Sequence, residues 1–175
     1  MRRCVMWVSG AVLLLGGMPL PAQLSPWRLG SPQRVVASSG AFDPFVDETT
    51  LEIGSEFWFA PRRVSFLPAS IPDLIPTAGV MVRAQGSFYV YGGFRADVPL
   101  GERWTFSPGW AMGLFQRSPD FDLGGPLEFR TSLELAYRLP GGSRLGLCLY
   151  HLSNAGLFER NPGSESLVVT YSAGL

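Results

Sequence analysis

From about residue 50 onward, apolar and polar residues alternate along the chain in runs of roughly ten residues. A period of two is typical of β-strands with one apolar face, because successive side chains of a strand point to opposite sides. Glycine, proline, aspartate and arginine separate the runs, as expected for turns. Seven runs are recognisable, at residues 51–59, 76–84, 88–97, 104–116, 127–139, 144–153 and 165–175. The sequence therefore predicts an all-β protein.

The run at residues 127–139 favours a membrane barrel over a soluble sheet. One of its faces carries Glu128, Arg130, Glu134 and Arg138, and the other is mainly apolar. A secreted β-sandwich, the alternative fold, would turn the charged face to water. A small barrel instead turns such a face inward as ion pairs and gives the apolar face to lipid. About ten residues is also the length that a tilted strand needs to cross a bilayer.

Aromatic residues near several run ends add to this prediction, because aromatic girdles mark the two membrane interfaces of such barrels. These residues are Trp58, Phe59, Tyr89, Trp104, Tyr137 and Tyr171.

A closed bacterial barrel has an even number of strands, so seven runs require an eighth. Residues 23–49 are weakly patterned and rich in proline, glycine and serine, and we place a first strand there at about residues 34–42. Residues 50–175 supply the remaining strands. The predicted fold is an all-β, eight-stranded antiparallel outer-membrane β-barrel.

Residues 1–22 have the composition of a cleaved secretory signal. Two arginines precede an apolar stretch that is too short for a membrane-spanning helix, is interrupted by glycine and proline, and ends at Ala22. Removal of this signal would take Cys4 with it. Cys148 would then be the only thiol, so no intrachain disulfide is expected.

The charge composition excludes some classes of partner. The chain has 14 basic and 14 acidic side chains, and all the basic ones are arginines. This balance argues against nucleic acid as a partner, because nucleic-acid-binding domains are usually strongly basic. No group of histidine, cysteine and carboxylate residues has the spacing of metal ligands, so neither a metal nor a cofactor is expected.

Three polar residues in the last two runs form a candidate catalytic group. His151, the only histidine, lies two residues before Ser153, so both share the leucine-rich face of their strand. Glu165 starts the next strand on the corresponding face and would pair across from His151. A carboxylate, an imidazole and a hydroxyl in this order resemble a nucleophile with its base and orienting acid. The alternative is three solvated interfacial side chains, but polar groups are costly on a face that otherwise contacts lipid.

Two segments, residues 151–157 (HLSNAGL) and 161–165 (NPGSE), resemble the outer-membrane lipid A 3-O-deacylases, an acyloxyacyl hydrolase-like barrel family. The resemblance covers about the last thirty residues. It implies that Ser153 is the nucleophile, His151 its base and Glu165 the acid member of the triad.

The same resemblance implies supporting roles for Asn154, Gly156 and Asn161, which would shape the loop and help to bind the oxyanion. It also implies the reaction, which is hydrolysis of an ester-linked hydroxyacyl chain from the 3-position of lipid A. Because both termini of such barrels lie in the periplasm, the three catalytic groups are expected near the outer leaflet.

The sequence therefore predicts a serine carboxylic-ester hydrolase of the Gram-negative outer membrane. Its expected substrate is lipid A within lipopolysaccharide, its other contacts are outer-membrane lipids, and a homodimer is compatible with this prediction. Two alternatives within the barrel fold stay open, namely an esterase directed at phospholipid and a barrel without catalytic activity.

Overall fold

The computed structural model of the protein describes residues 29–44 and 49–175. These residues form nine β-strands and no α-helix. In chain order the strands are β1 (Arg34–Phe42), β2 (Thr50–Trp58), β3 (Leu74–Arg83), β4 (Phe88–Ala96), β5 (Val98–Leu100), β6 (Trp104–Gln116), β7 (Leu127–Arg138), β8 (Arg144–Ser153) and β9 (Ser164–Gly174). The predicted secretory signal, residues 1–22, lies outside the described residues.

The strands close into a barrel because β1, at one end of the chain, pairs with β9 at the other. All pairings are antiparallel. Both β4 and β5 pair with β6 in one continuous register, so they are two segments of a single barrel strand. The ladder to β6 is interrupted at residues 96 and 97, which lie opposite Pro108 and Ser107, and Pro108 has no N–H to donate. The barrel thus has eight strands, which confirms the predicted fold.

The strand β1 occupies the segment in which the sequence predicted a first strand. Its outward side chains Ala37, Ser39 and Ala41 are small, which explains why this segment shows so little apolar alternation. The short segment β5 was not predicted, because its three residues, valine, proline and leucine, do not alternate.

The outer surface of the barrel is apolar, as the alternation predicted. On β8, Leu145, Leu147 and Leu149 are exposed, whereas the residues between them are buried. The same alternation holds along β7 and β9. An apolar band of this kind is the surface that a membrane barrel presents to lipid.

Paired charges fill the barrel interior. Glu52 and Arg83 form an almost fully buried ion pair, with 2.9 Å between Oε2 and Nε. Further interior pairs join Arg130 to Glu56, Arg95 to Glu134, and Arg144 to Asp97. Pairing is needed here because an unpaired buried charge is strongly destabilising.

The predicted inward charged face of β7 is correct for three of its four members. Glu128, Arg130 and Glu134 are buried in the interior, but Arg138, the last residue of β7, is exposed. The expectation that Trp58 and Tyr89 belong to an interfacial aromatic girdle is also wrong, because their side chains are buried inside the barrel, at 2% and 0% exposure. Strand parity, rather than nearness to a strand end, decides where these rings point.

Candidate active site

The pairing of β8 with β9 places His151 opposite Glu165. Nδ1 of the imidazole lies 3.0 Å from Oε1 of the carboxylate, and both side chains are 46% exposed on the outer surface of the barrel. An ionised carboxylate only accepts hydrogen bonds, so Nδ1 of a neutral ring must carry the proton. The other ring nitrogen, Nε2, then has a free lone pair and can act as a base.

Ser153 is the last residue of β8 and lies one pleat beyond His151 on the same face. Residues two apart on a strand are separated by about 7 Å along the strand, which is within reach of two facing side chains. Within the described part of the chain, no hydrogen bond joins the Ser153 hydroxyl to His151, so the histidine–glutamate contact is formed and the serine–histidine contact is open. Catalytic hydrogen bonds often form only when substrate is bound.

Asn154 supports the loop between β8 and β9 and has no free donor. The residue is fully buried, and its Nδ2 donates to the carbonyl oxygens of Leu123 (3.0 Å) and Arg160 (2.8 Å). Its Oδ1 accepts the N–H of Gly156 at 3.0 Å. The amide of Asn154 and the N–H of Gly156 are therefore both used inside the loop.

Asn161 is placed differently. Its Oδ1 accepts the backbone N–H of Asn154 at 2.9 Å, which ties the two asparagines together. The Asn161 side chain is exposed, and its Nδ2 makes no hydrogen bond to any of the residues that the structure describes. Of the three predicted supporting residues, Asn161 alone has a side-chain donor that remains available.

The loop at residues 117–126, which the sequence did not single out, packs against the loop between β8 and β9 at residues 154–163, called the active-site loop below. Gly124 and Gly125 allow this contact, because a Cβ on Gly124 would collide with the Arg160 carbonyl and one on Gly125 with the Phe158 ring. Asp122 also forms an ion pair with Arg160 at 3.6 Å. A hydrogen bond from the N–H of Gly124 lowers the pKa of the Asp122 carboxyl, which keeps it ionised for that pair.

Gly163 limits the space available to the imidazole of His151. Its φ of 70° lies in the left-handed region that favours glycine, and a Cβ built there would lie 2.9 Å from Cε1 of His151. This glycine is visible in the NPGSE segment of the sequence, but only the fold shows which side chain it faces.

Among residues 29–44 and 49–175, no three histidine, cysteine, aspartate or glutamate side chains are grouped so that they could hold a metal ion.

A family model described as lipid A 3-O-deacylase (PagL) matches residues 79–173, which include every residue of the candidate site. The chain belongs to this family. The lipid A deacylase PagL of Bordetella bronchiseptica is 32% identical over 74 residues. That match spans 41% of this chain and 42% of the relative, which is less than half of either.

Two solved structures share the fold of this PagL-family chain. The crystal structure of the outer membrane enzyme PagL aligns with a TM-score of 0.61 at 22% identity, over 81% of this chain and 99% of that one. A structure from the de novo design of transmembrane β-barrels aligns with a TM-score of 0.50 at 8% identity, over 83% of this chain and 98% of that one. Both likenesses concern the barrel architecture.

Proposed function

We propose that the protein is an outer-membrane esterase that removes an ester-linked hydroxyacyl chain from the 3-position of lipid A. The observation that carries this proposal is the hydrogen bond between His151 and Glu165 on the outer, apolar face of the barrel, with Ser153 beside it on the same face. Membership of the PagL family supports the substrate.

The proposed reaction is acyl transfer through a serine ester. Ser153 Oγ attacks the ester carbonyl carbon while Nε2 of His151 takes the hydroxyl proton, and Glu165 stabilises the imidazolium that forms. The ester C–O bond then breaks, and the imidazolium gives the proton to the departing sugar oxygen, which leaves as a hydroxyl. Water, activated by the same imidazole, hydrolyses the acyl-enzyme and releases a hydroxy fatty acid.

The surroundings of Ser153 suit a lipid substrate. Its cross-strand neighbour on β7 is Phe129, whose ring stacks on Trp110 of β6 with 5.8 Å between ring centroids. These rings give the nucleophile an apolar wall on the outside of the barrel. An acyl chain can therefore lie along this wall and reach the site from the membrane, without entering the filled interior.

We assign oxyanion stabilisation to the Nδ2 group of Asn161, since Asn161 alone among the three predicted supporting residues has an available side-chain donor. Asn154 and Gly156 then act indirectly, because their hydrogen bonds hold the loop that carries Asn161. Such donors act on the charge that develops in the transition state, where one of them contributes about 3 kcal/mol.

The test is mass spectrometry of lipids from Gram-negative cells that express either the intact protein or Ser153→Ala. We expect lipid A to lose one hydroxyacyl chain with the intact protein only. Unchanged lipid A in both strains would contradict the proposal. Phospholipids from the same cells are measured alongside, and loss of phospholipid acyl chains alone would instead establish a phospholipid esterase.

A further inference from the structure

A residue far away in the sequence holds the backbone of the proposed acid member, Glu165. Asp43 is the first residue after β1, the strand on the opposite side of β9 from His151. Its N–H donates to the carbonyl oxygen of Glu165 at 2.8 Å, and its Oδ1 accepts the N–H of Glu165 at 3.1 Å. One residue therefore satisfies both backbone polar groups of Glu165.

The side chain of Asp43 replaces a backbone acceptor that is missing from the hydrogen-bond ladder between β1 and β9. The register of β1 and β9 ends at Phe42 opposite Ser166, so Asp43 would be the next partner of Glu165. The Asp43 carbonyl, however, accepts a hydrogen bond from Thr49 Oγ1 at 3.0 Å. The carboxylate supplies the acceptor that the main chain would otherwise provide.

The backbone of Asp43 also restricts the residue type. Its φ of 50° lies in the left-handed region, where only glycine is free of strain and asparagine and aspartate are the best tolerated of the others. Glycine has no side-chain acceptor, so aspartate and asparagine are the residues that meet both requirements.

Without this support, the N–H and carbonyl groups of Glu165 would have no partner on the β1 side of β9. The first residues of a strand fray when their backbone groups lack partners. Glu165 must stay opposite His151 for its Oε1 to hold the Nδ1 proton, and the contact from β1 fixes it from the other side. Burial raises the pKa of the Asp43 carboxyl, and the charge of Glu165 adds to this effect. This shift is consistent with the close approach of the two acids.

We propose that Asp43 is a positioning residue that holds Glu165 against His151 and thereby sets the tautomer of the catalytic imidazole. The inference deepens the proposed function, on which its catalytic part rests. It does not depend on the identity of the lipid.

The experiment compares Asp43→Gly with Asp43→Asn in the full-length barrel. Glycine accepts the left-handed backbone and removes the carboxylate, whereas asparagine keeps both the backbone preference and the Oδ1 acceptor. Only folded barrel, recognised by its migration in unheated SDS gels, is measured. We expect Asp43→Gly to lower kcat for lipid A in detergent micelles by about 10- to 100-fold, the cost of a small misplacement of a catalytic group. KM should change little, and Asp43→Asn should retain most of the activity.

A second measurement needs no catalysis. Because the chain contains a single histidine, nitrogen-15 NMR of histidine-labelled protein without a histidine tag reports His151 alone. The intact protein and Asp43→Asn should show mainly the Nδ1–H tautomer, and Asp43→Gly should shift toward Nε2–H. The proposal is overturned if Asp43→Gly keeps the tautomer and kcat of the intact protein, or if both variants lose them equally. If the intact protein does not act on lipid A, the tautomer still decides the role of Asp43.

Discussion

The inside and the outside of this barrel both carry ionisable groups away from bulk water, but the two sets of groups differ in burial and in pairing. Inside, Glu52 and Arg83 are almost completely buried and face each other. Outside, His151 and Glu165 are only half buried, and Nε2 of the histidine has no partner among the described residues. The charges of the interior pair neutralise each other, whereas the outer pair leaves Nε2 of the histidine available as an acceptor. The comparison supports a stabilising role for the inner charges and the proposed chemical role for the outer group.

The largest effect is expected from Ser153→Ala, which removes the proposed nucleophile and no contact that holds the barrel together. We expect hydrolysis of lipid A by the purified protein to fall by roughly four orders of magnitude or more. The urea midpoint of unfolding in detergent should not change, because the hydroxyl makes no hydrogen bond to described residues. A variant that lost activity together with stability would contradict the separation between outer and inner groups.

Glu165→Gln is expected to cost roughly two to four orders of magnitude in kcat. The amide can donate a hydrogen bond to Nδ1 and so favour the wrong tautomer, and it cannot stabilise the imidazolium. The rate of acyl release measures this effect. Glu159→Gln, in the same active-site loop but exposed, is the matched control and should leave kcat unchanged. Equal rates for Glu165→Gln and the intact protein would remove Glu165 from the mechanism.

Arg83→Met should strongly lower the stability of the barrel, whereas the two variants above lower its activity. Glu52 would be left as a buried, unpaired carboxylate, which costs about 3–5 kcal/mol in the free energy of unfolding. Equilibrium unfolding in urea measures it. The exposed pair of Arg63 and Asp73 offers a control, since Asp73→Asn should cost less than about 1 kcal/mol. Similar losses for the two variants would show that burial does not distinguish these pairs.

The smallest effect is expected from Gly163→Ala, with Gly156→Ala as its matched control. Both glycines lie in the active-site loop with positive φ, but only at residue 163 would a Cβ meet the His151 ring. Both variants should lose a similar 1 kcal/mol or so of stability from the left-handed backbone. Gly163→Ala should in addition lower kcat by about tenfold through displacement of the imidazole. A kcat that falls equally in both would show that only loop strain matters.

Much of the fold was predictable because every strand of a membrane barrel alternates its side chains between the lipid-facing surface and the interior. Strand parity predicted the outward leucines of β8 and the inward charges of β7, and these predictions are confirmed except at Arg138, which is exposed. Where residues were judged by their nearness to a strand end, as Trp58 and Tyr89 were, the prediction was wrong.

The site was only partly predictable. His151, Ser153 and Glu165 lie within 15 residues, so the pairing of two adjacent strands is enough to bring them to one face. Asp43 is 122 positions from Glu165 and meets it only where β1 and β9 close the barrel. The register of that closure cannot be obtained from local alternation. The loop at residues 117–126 was missed for a similar reason, since its contact with the active-site loop depends on tertiary packing.

The proposed mechanism requires that an outward-facing Ser153 be activated by His151. The most direct test is labelling of the intact barrel with a long-chain alkyl fluorophosphonate, followed by trypsin digestion and mass spectrometry of the peptide at residues 145–160. We predict a single adduct on Ser153 that is lost in His151→Ala and suppressed by added lipid A. Labelling at another serine, or labelling of Ser153 that persists in His151→Ala, would contradict the account.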